Sequence, residues 1–206
     1  TGLVMAPRGM GTMLSFMLAG NLMKRIEPRI MILAGLALCA WSMYLMSQFA
    51  LGMNSWPLMT SGFVQGVGTG LIFVPLSTMA FATLDARLRN EGAAMFTLIR
   101  NIGSAIGISV LQAMTIRNTA TVHSRLVEGV RPDNPVMQWA RPDFDFGIPA
   151  AVAQLNAAIT RQATMVSYID AFHGMFLLSL VMVPMILLMR PARKIQTAED
   201  LAMHLD

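Results

Sequence analysis

The chain has 206 residues, 55% of them hydrophobic and only 13% charged, with a mean hydropathy of +0.57. Soluble domains are roughly a quarter charged and need that polarity to cover their surface, so this composition excludes an ordinary water-soluble globule. The net charge of +4 and pI near 10.0 would suit a nucleic-acid binder, but here the apolar residues are gathered into long blocks and no nucleic-acid partner is expected.

Five apolar runs occupy residues 2–22, 30–51, 57–84, 92–116 and 171–189. Each is long enough to cross a hydrocarbon core about 30 Å thick as a helix. Backbone groups in lipid must be paired within the segment, so helices are the simple solution. The expected fold is all-α, a polytopic transmembrane helix bundle. Residues 1–116 would form four spans, 117–170 an external loop with helical flanks, 171–189 the last span and 190–206 a cytoplasmic tail. The single cysteine, Cys39, lies within the second run, so no intrachain disulfide can form. No signal-peptide pattern precedes the first run, which begins beside Thr1. The expectation is a piece of a longer protein whose N-terminal part is missing.

In the first run, Pro7-Arg8-Gly9 sets a charge and a helix-disturbing residue below the outer end. Arg8 has two readings: it satisfies the carbonyl that the proline frees, or it lines a cavity. The turn after this run carries Lys24, Arg25 and Arg29. The turn at 52–56 carries no Lys or Arg, the next has Arg87 and Arg89, and the tail has Arg190, Arg193 and Lys194. Basic turns alternating with a neutral one follow the positive-inside pattern. The chain start is then outside and the C-terminus cytoplasmic. The third run sets Gly62, Gly66 and Gly70 four residues apart with Gly68 between, and Pro75 further on; the fourth repeats the spacing at Gly103 and Gly107. Such spacing lets two helices approach closely, so these glycines are read as helix-packing positions. A nucleotide-loop reading of Gly66-x-Gly68-x-Gly70 fails, because no strand precedes it and its surroundings are apolar.

Arg100, about two turns into the fourth run, is the outstanding intramembrane charge. An Arg near a helix centre costs roughly 2.5–3.5 kcal/mol on insertion scales and faces a partner or an aqueous cavity. It is a candidate cavity-lining or gating cation, the alternatives being snorkelling or a structural pair. Asn101 beside it can bond across a helix interface. The segment from Arg117 to Asp170 carries five arginines, Arg117, Arg125, Arg131, Arg141 and Arg161, and parity places it outside. Its flanks show helical spacing (Val122 and Leu126; Val152, Leu155 and Ile159), and its Pro- and Asp-rich centre, 131–149, reads as an irregular tip. The fourth and fifth spans are thus expected to continue outward as a helical hairpin. Asp170 and His173 share a face at the start of the last span and are candidates for proton relay or cation binding, or else a solvated helix start.

No span has an Asp or Glu at its middle, so a proton-carrying group would lie elsewhere. The 20 methionines suit an adaptable apolar surface or ordinary membrane packing. No Gly-x-Ser-x-Gly, His-Glu-x-x-His or Cys/His cluster is present, so neither a cofactor, a metal nor an enzymatic site is expected.

Three stretches resemble one family. Ala6-Pro7-Arg8-Gly9 leading into Asn21-Leu22-Met23-Lys24-Arg25-Ile26-Glu27-Pro28-Arg29 is similar to the Pro-Arg-Gly helix and basic turn of EmrB/QacA-type transporters. Glu91-Gly92-Ala93-Ala94-Met95-Phe96, followed by Leu98-Ile99-Arg100-Asn101-Ile102-Gly103-Ser104-Ala105-Ile106-Gly107, looks like their penultimate helix. The long outer loop and Tyr168-Ile169-Asp170-Ala171-Phe172 before the last helix also fit, while Met23-Lys24-Arg25 departs from the commoner Asp-Arg form of the turn. The resemblance implies the last five spans of the C-terminal half of a fourteen-span major facilitator carrier in a bacterial inner membrane. It implies export of drugs or other amphipathic compounds in exchange for protons. Implied partners are the lipid bilayer, the N-terminal half of the same carrier, a periplasmic adaptor and an outer-membrane channel. Two other classes stay open: a membrane scaffold or assembly subunit that transports nothing, and, more weakly, a membrane enzyme.

Overall fold

The computed structural model describes residues 2–81, 84–140 and 144–188. Met189, Arg190, Arg193 and Lys194 of the expected last span and tail, and Arg141 of the outer loop, lie outside the described residues.

Helices α1 (Gly2–Leu22), α2 (Pro28–Ser47) and α3 (Ser55–Phe81) come first. A single 3-10 turn (Ala86–Leu88) then leads into α4 (Arg89–Glu128), the short α5 (Pro135–Ala140) and α6 (Pro149–Leu188). No strand occurs among the described residues. Four helices, α2, α3, α4 and α6, are long and apolar enough to cross a membrane. The first helix is as long as a span, 21 residues or about 31 Å at 1.5 Å per residue, but Arg8, Asn21 and its small residues leave it less apolar than the other four.

Local chemistry sets the boundaries. Pro28 stands in the first turn of α2, where a missing N–H costs nothing. That helix stops at Ser47, four residues short of the sequence expectation, because the chain must reverse through Gly52, whose φ is +87°. At the start of α3, Asn54 Oδ1 accepts a 2.7 Å hydrogen bond from the Ser55 N–H. Helices α4 and α6 have 40 residues each. Each is therefore about 60 Å long, twice a hydrocarbon core, so a long stretch of both projects beyond it. The hairpin they form is joined by hydrogen bonds from Asn118 Nδ2 to Asp170 Oδ2 (2.6 Å) and between His123 and Asn156 (3.0 Å). Its tip includes α5, where an irregular segment was expected. Pro135 opens that helix, the Asn134 carbonyl accepts from the Gln138 N–H at 3.1 Å, and Asn134 Nδ2 donates to the Gly129 carbonyl at 2.6 Å, folding the tip onto the end of α4.

Helix α3 is the centre of the packed part, with α1 on one side and α2 on the other; α2 also packs on α6, and α6 on α4. Glycines make these seams. Gly66 lies under the Arg8 carbonyl and Gly11 under the Phe63 carbonyl, so α1 and α3 touch backbone to backbone. A Cβ on Gly70 would come within 2.6 Å of Ser15, whereas one on Gly62 would meet the Arg8 side chain at an ordinary 3.7 Å. Gly68 turns the other way, facing Gly35 of α2, and a Cβ on either would lie 2.7 Å from the other's carbonyl. Buried hydroxyls reinforce the contact: Ser15 donates to the Val67 carbonyl (2.9 Å) and Ser42 to that of Ser61 (2.7 Å). By contrast Gly103 and Gly107 of α4 meet nothing within 4 Å, and no described residue of α4 is buried. A close approach at those two positions needs a helix other than the ones described.

A polar contact ties the start of α2 to α6: Arg29 Nε donates to the Ile186 carbonyl at 3.2 Å. The basic turn between α1 and α2 therefore sits at the same end of the bundle as the end of α6.

Candidate functional site

Arg100 projects from α4 toward α3, and its guanidinium carbon lies 5.3 Å from the centroid of Phe73. That is cation–π distance, an attraction worth about 0.5–1 kcal/mol when exposed and ~2 or more when desolvated. Phe73 in turn packs on Phe16 of α1, with centroids 6.0 Å apart. Among the described residues Arg100 makes no hydrogen bond or ion pair. A structural pair for this arginine, one of its sequence readings, is not formed here; its neighbour is an aromatic ring. Asn101 is exposed, and its carbonyl accepts from Ser104 of its own helix at 2.9 Å.

Phe16 also borders a shallow, open surface on α1, together with Met5, Arg8, Thr12, Met13 and Met17. Thr12 donates to the Arg8 carbonyl at 3.0 Å. The Arg8 guanidinium makes no hydrogen bond among the described residues, to the carbonyl freed by Pro7 or to any other group, and borders the same surface. Arg8, Phe16, Phe73 and Arg100 thus lie along one surface shared by α1, α3 and α4, with a cation toward each end and two rings between. Methionines flank it. Met has three rotatable bonds and a polarisable sulfur, so such a surface adapts to apolar ligands of different shape, while the guanidiniums and ring faces add polar selectivity.

Asp170 belongs to a different place. Through Asn118 it joins α4 and α6 near the outer part of the hairpin. His173 turns to Phe176 (6.1 Å between centroids), which packs on Tyr44 of α2 at 5.7 Å. The structure therefore does not bring Asp170 and His173 together, although they are three residues apart on one helix. Beside Asp170 a groove of about 880 Å³ runs between α4 and α6. Sequence reasoning missed Phe16, Phe73 and Asn118. The charges flagged their own positions, but their partners depend on the register between helices, which spacing within one helix does not encode. Among the described residues no group of three or more His, Cys, Asp or Glu is placed to hold a metal ion.

Comparison with known proteins agrees with this architecture. The family model described as Major Facilitator Superfamily matches residues 1–120. The chain is 24% identical over 193 residues to fatty acid resistance protein FarB of Neisseria gonorrhoeae, covering 92% of this chain and 38% of that protein. It is 25% identical over 180 residues to multidrug export protein EmrB of Haemophilus influenzae, covering 86% and 35%. To the probable multidrug resistance protein EmrY of Escherichia coli it is 24% identical over 176 residues, covering 84% and 34%. The chain thus spans a little over a third of the length of these relatives. With apolar helices seamed by glycine, intramembrane arginines and a family match over more than half its residues, this chain is a multi-pass membrane protein of the Major Facilitator Superfamily.

Proposed function

We propose that the chain is the C-terminal portion of a secondary transporter that exports drugs or other amphipathic compounds from a bacterial cell across its inner membrane, in exchange for protons. It contributes five spans, α1 included, with the basic α1–α2 turn cytoplasmic and the α4–α6 hairpin external. The observation that carries this reading is the surface bearing Arg8, Phe16, Phe73 and Arg100. An intramembrane Arg with a ring for a neighbour and no carboxylate suits a cavity wall that meets varied amphiphiles. The names of EmrB, EmrY and FarB supply the substrate class, drugs and fatty acids. The remaining helices of the carrier would supply the opposite wall, and the apolar, unburied α4 at Gly103 is where they would approach. Alternating access needs that second half, and the proton-carrying acid would lie there too. A periplasmic adaptor leading to an outer-membrane channel would meet the hairpin tip, where Trp139 is 87% exposed. Transport of this kind is non-enzymatic.

Arg100→Ala in the intact carrier tests the reading. Export of a fluorescent lipophilic cation and the amount of protein in the membrane are measured on the same cells. A cavity-lining role predicts lost export at wild-type abundance. Normal export at normal abundance would remove Arg100 from the mechanism. Loss of the protein itself would make the residue structural.

A further inference from the structure

The groove between α4 and α6 has two glycines in its lining. Gly107 of α4 and Gly174 of α6 both line it, and a Cβ on either would meet nothing within 4 Å. Gly174 lies four residues from Asp170 and Gly107 ten from Arg117, and the wall between the two levels is apolar, formed by Val110, Leu111, Met114, Met175 and Leu178. Arg117 and Asp170 then carry opposite charges into the same groove. No ion pair joins these two among the described residues; Asp170 Oδ2 instead accepts from Asn118 at 2.6 Å, which leaves Oδ1 to another donor. The hydroxyls nearby are already used. Thr115, Thr121 and Ser167 donate to the carbonyls of Leu111, Arg117 and Ala163 on their own helices, at 2.8, 3.0 and 2.8 Å. The charged groups of the groove are therefore one cation and one anion, set beside the Asn118 amide at its end near the hairpin.

From Gly107 to Arg117 the rise along α4 is about 15 Å, the depth of one leaflet of a ~30 Å hydrocarbon core. We infer that this groove is a lateral binding site for a zwitterionic, amine-bearing phospholipid of the outer leaflet. The phosphate accepts from the Arg117 guanidinium, the ammonium donates to Asp170 Oδ1, and an acyl chain descends past Gly174, Met175 and Leu111 to the space over Gly107. The charge pattern selects the headgroup. A phosphatidylglycerol offers a phosphate and no cation, leaving Asp170 unanswered. A phosphatidylcholine carries a positive charge without an N–H to donate. The leaflet rests on the proposed external placement of the α4–α6 hairpin; the site stands whether or not the carrier exports anything.

The test uses the intact protein, delipidated in detergent and offered phosphatidylethanolamine, phosphatidylglycerol or phosphatidylcholine, with retained lipid counted by native mass spectrometry. The wild type should retain phosphatidylethanolamine over phosphatidylglycerol by about tenfold, the scale of one charge-assisted hydrogen bond. Asp170→Asn keeps an oxygen for Asn118 but removes the charge, and should bring the two lipids within about twofold of each other. Arg117→Gln should weaken both. Gly174→Leu, which fills the groove and leaves both charges, should lower retention of every phospholipid; it serves as the second variant if Asp170→Asn fails to accumulate. Equal retention of the two lipids by the wild type, or an undiminished preference in Asp170→Asn, would overturn the proposal. So would Asp170-dependent binding of tetraphenylphosphonium with no lipid retained, which would make the groove a cation site instead.

Discussion

Arg100 illustrates what a residue shows in sequence and what it hides. A guanidinium inside an apolar run is visible at once, because its desolvation demands an explanation. Its neighbour Phe73 is not, since the two rings and two cations come from three helices whose relative register no spacing rule specifies. Asp170 is similar: the shared face with His173 is a fact of one helix, yet Asp170 bonds Asn118 of α4 while His173 lies against Phe176 of its own helix. Two substitutions follow at this scale. Arg100→Lys keeps the charge but loses the planar group that lies against a ring, so export should fall severalfold without loss of protein. Phe73→Leu keeps an apolar side chain and removes the π face, and should produce a comparable, smaller fall, in keeping with about 0.5–2 kcal/mol for the interaction. Initial export rates divided by membrane abundance check both; Arg100→Lys at the wild-type rate would mean that charge alone suffices.

Among the elements, the helices were legible from run length, and the glycine spacing in α3 pointed to close packing. The seams are sharper than the spacing. Gly62, Gly66 and Gly70 turn to α1 and Gly68 to α2, and they differ in how much room they have. Gly66→Ala would drive a Cβ into the Arg8 backbone and should cost about 1–3 kcal/mol, the range of overpacked cores. Gly62→Ala meets only a 3.7 Å contact and should be tolerated. Thermal unfolding in detergent compares them, and equal melting temperatures would show that the α1–α3 seam is not this tight. Helix ends were less legible. The early stop of α2 depends on the reversal at Gly52, and the helix in the hairpin tip depends on Asn134 and Pro135, short-range chemistry that a search for apolar runs passes over. The outward extension of α4 and α6 was readable because their flanks keep a helical repeat beyond the apolar stretch.

For the molecule as a whole, the positive-inside pattern and the Arg29–Ile186 contact concern the same geometry from two sides. In the proposed topology the positive-inside pattern puts the basic α1–α2 turn in the cytoplasm, and the hydrogen bond sets Ile186 of α6 beside it. In a Cys39→Ala background, Asn134→Cys should react with an impermeant maleimide in intact cells, and Lys24→Cys only after the cells are opened; the reverse pattern would invert the topology. The most direct measurement is made on the intact carrier in proteoliposomes under an imposed proton gradient. A drug:proton antiporter concentrates a lipophilic cation such as ethidium above its equilibrium level and releases it when nigericin collapses the gradient. Ethidium uptake equal to that of empty liposomes, with and without the gradient, would contradict transport and favour a membrane scaffold.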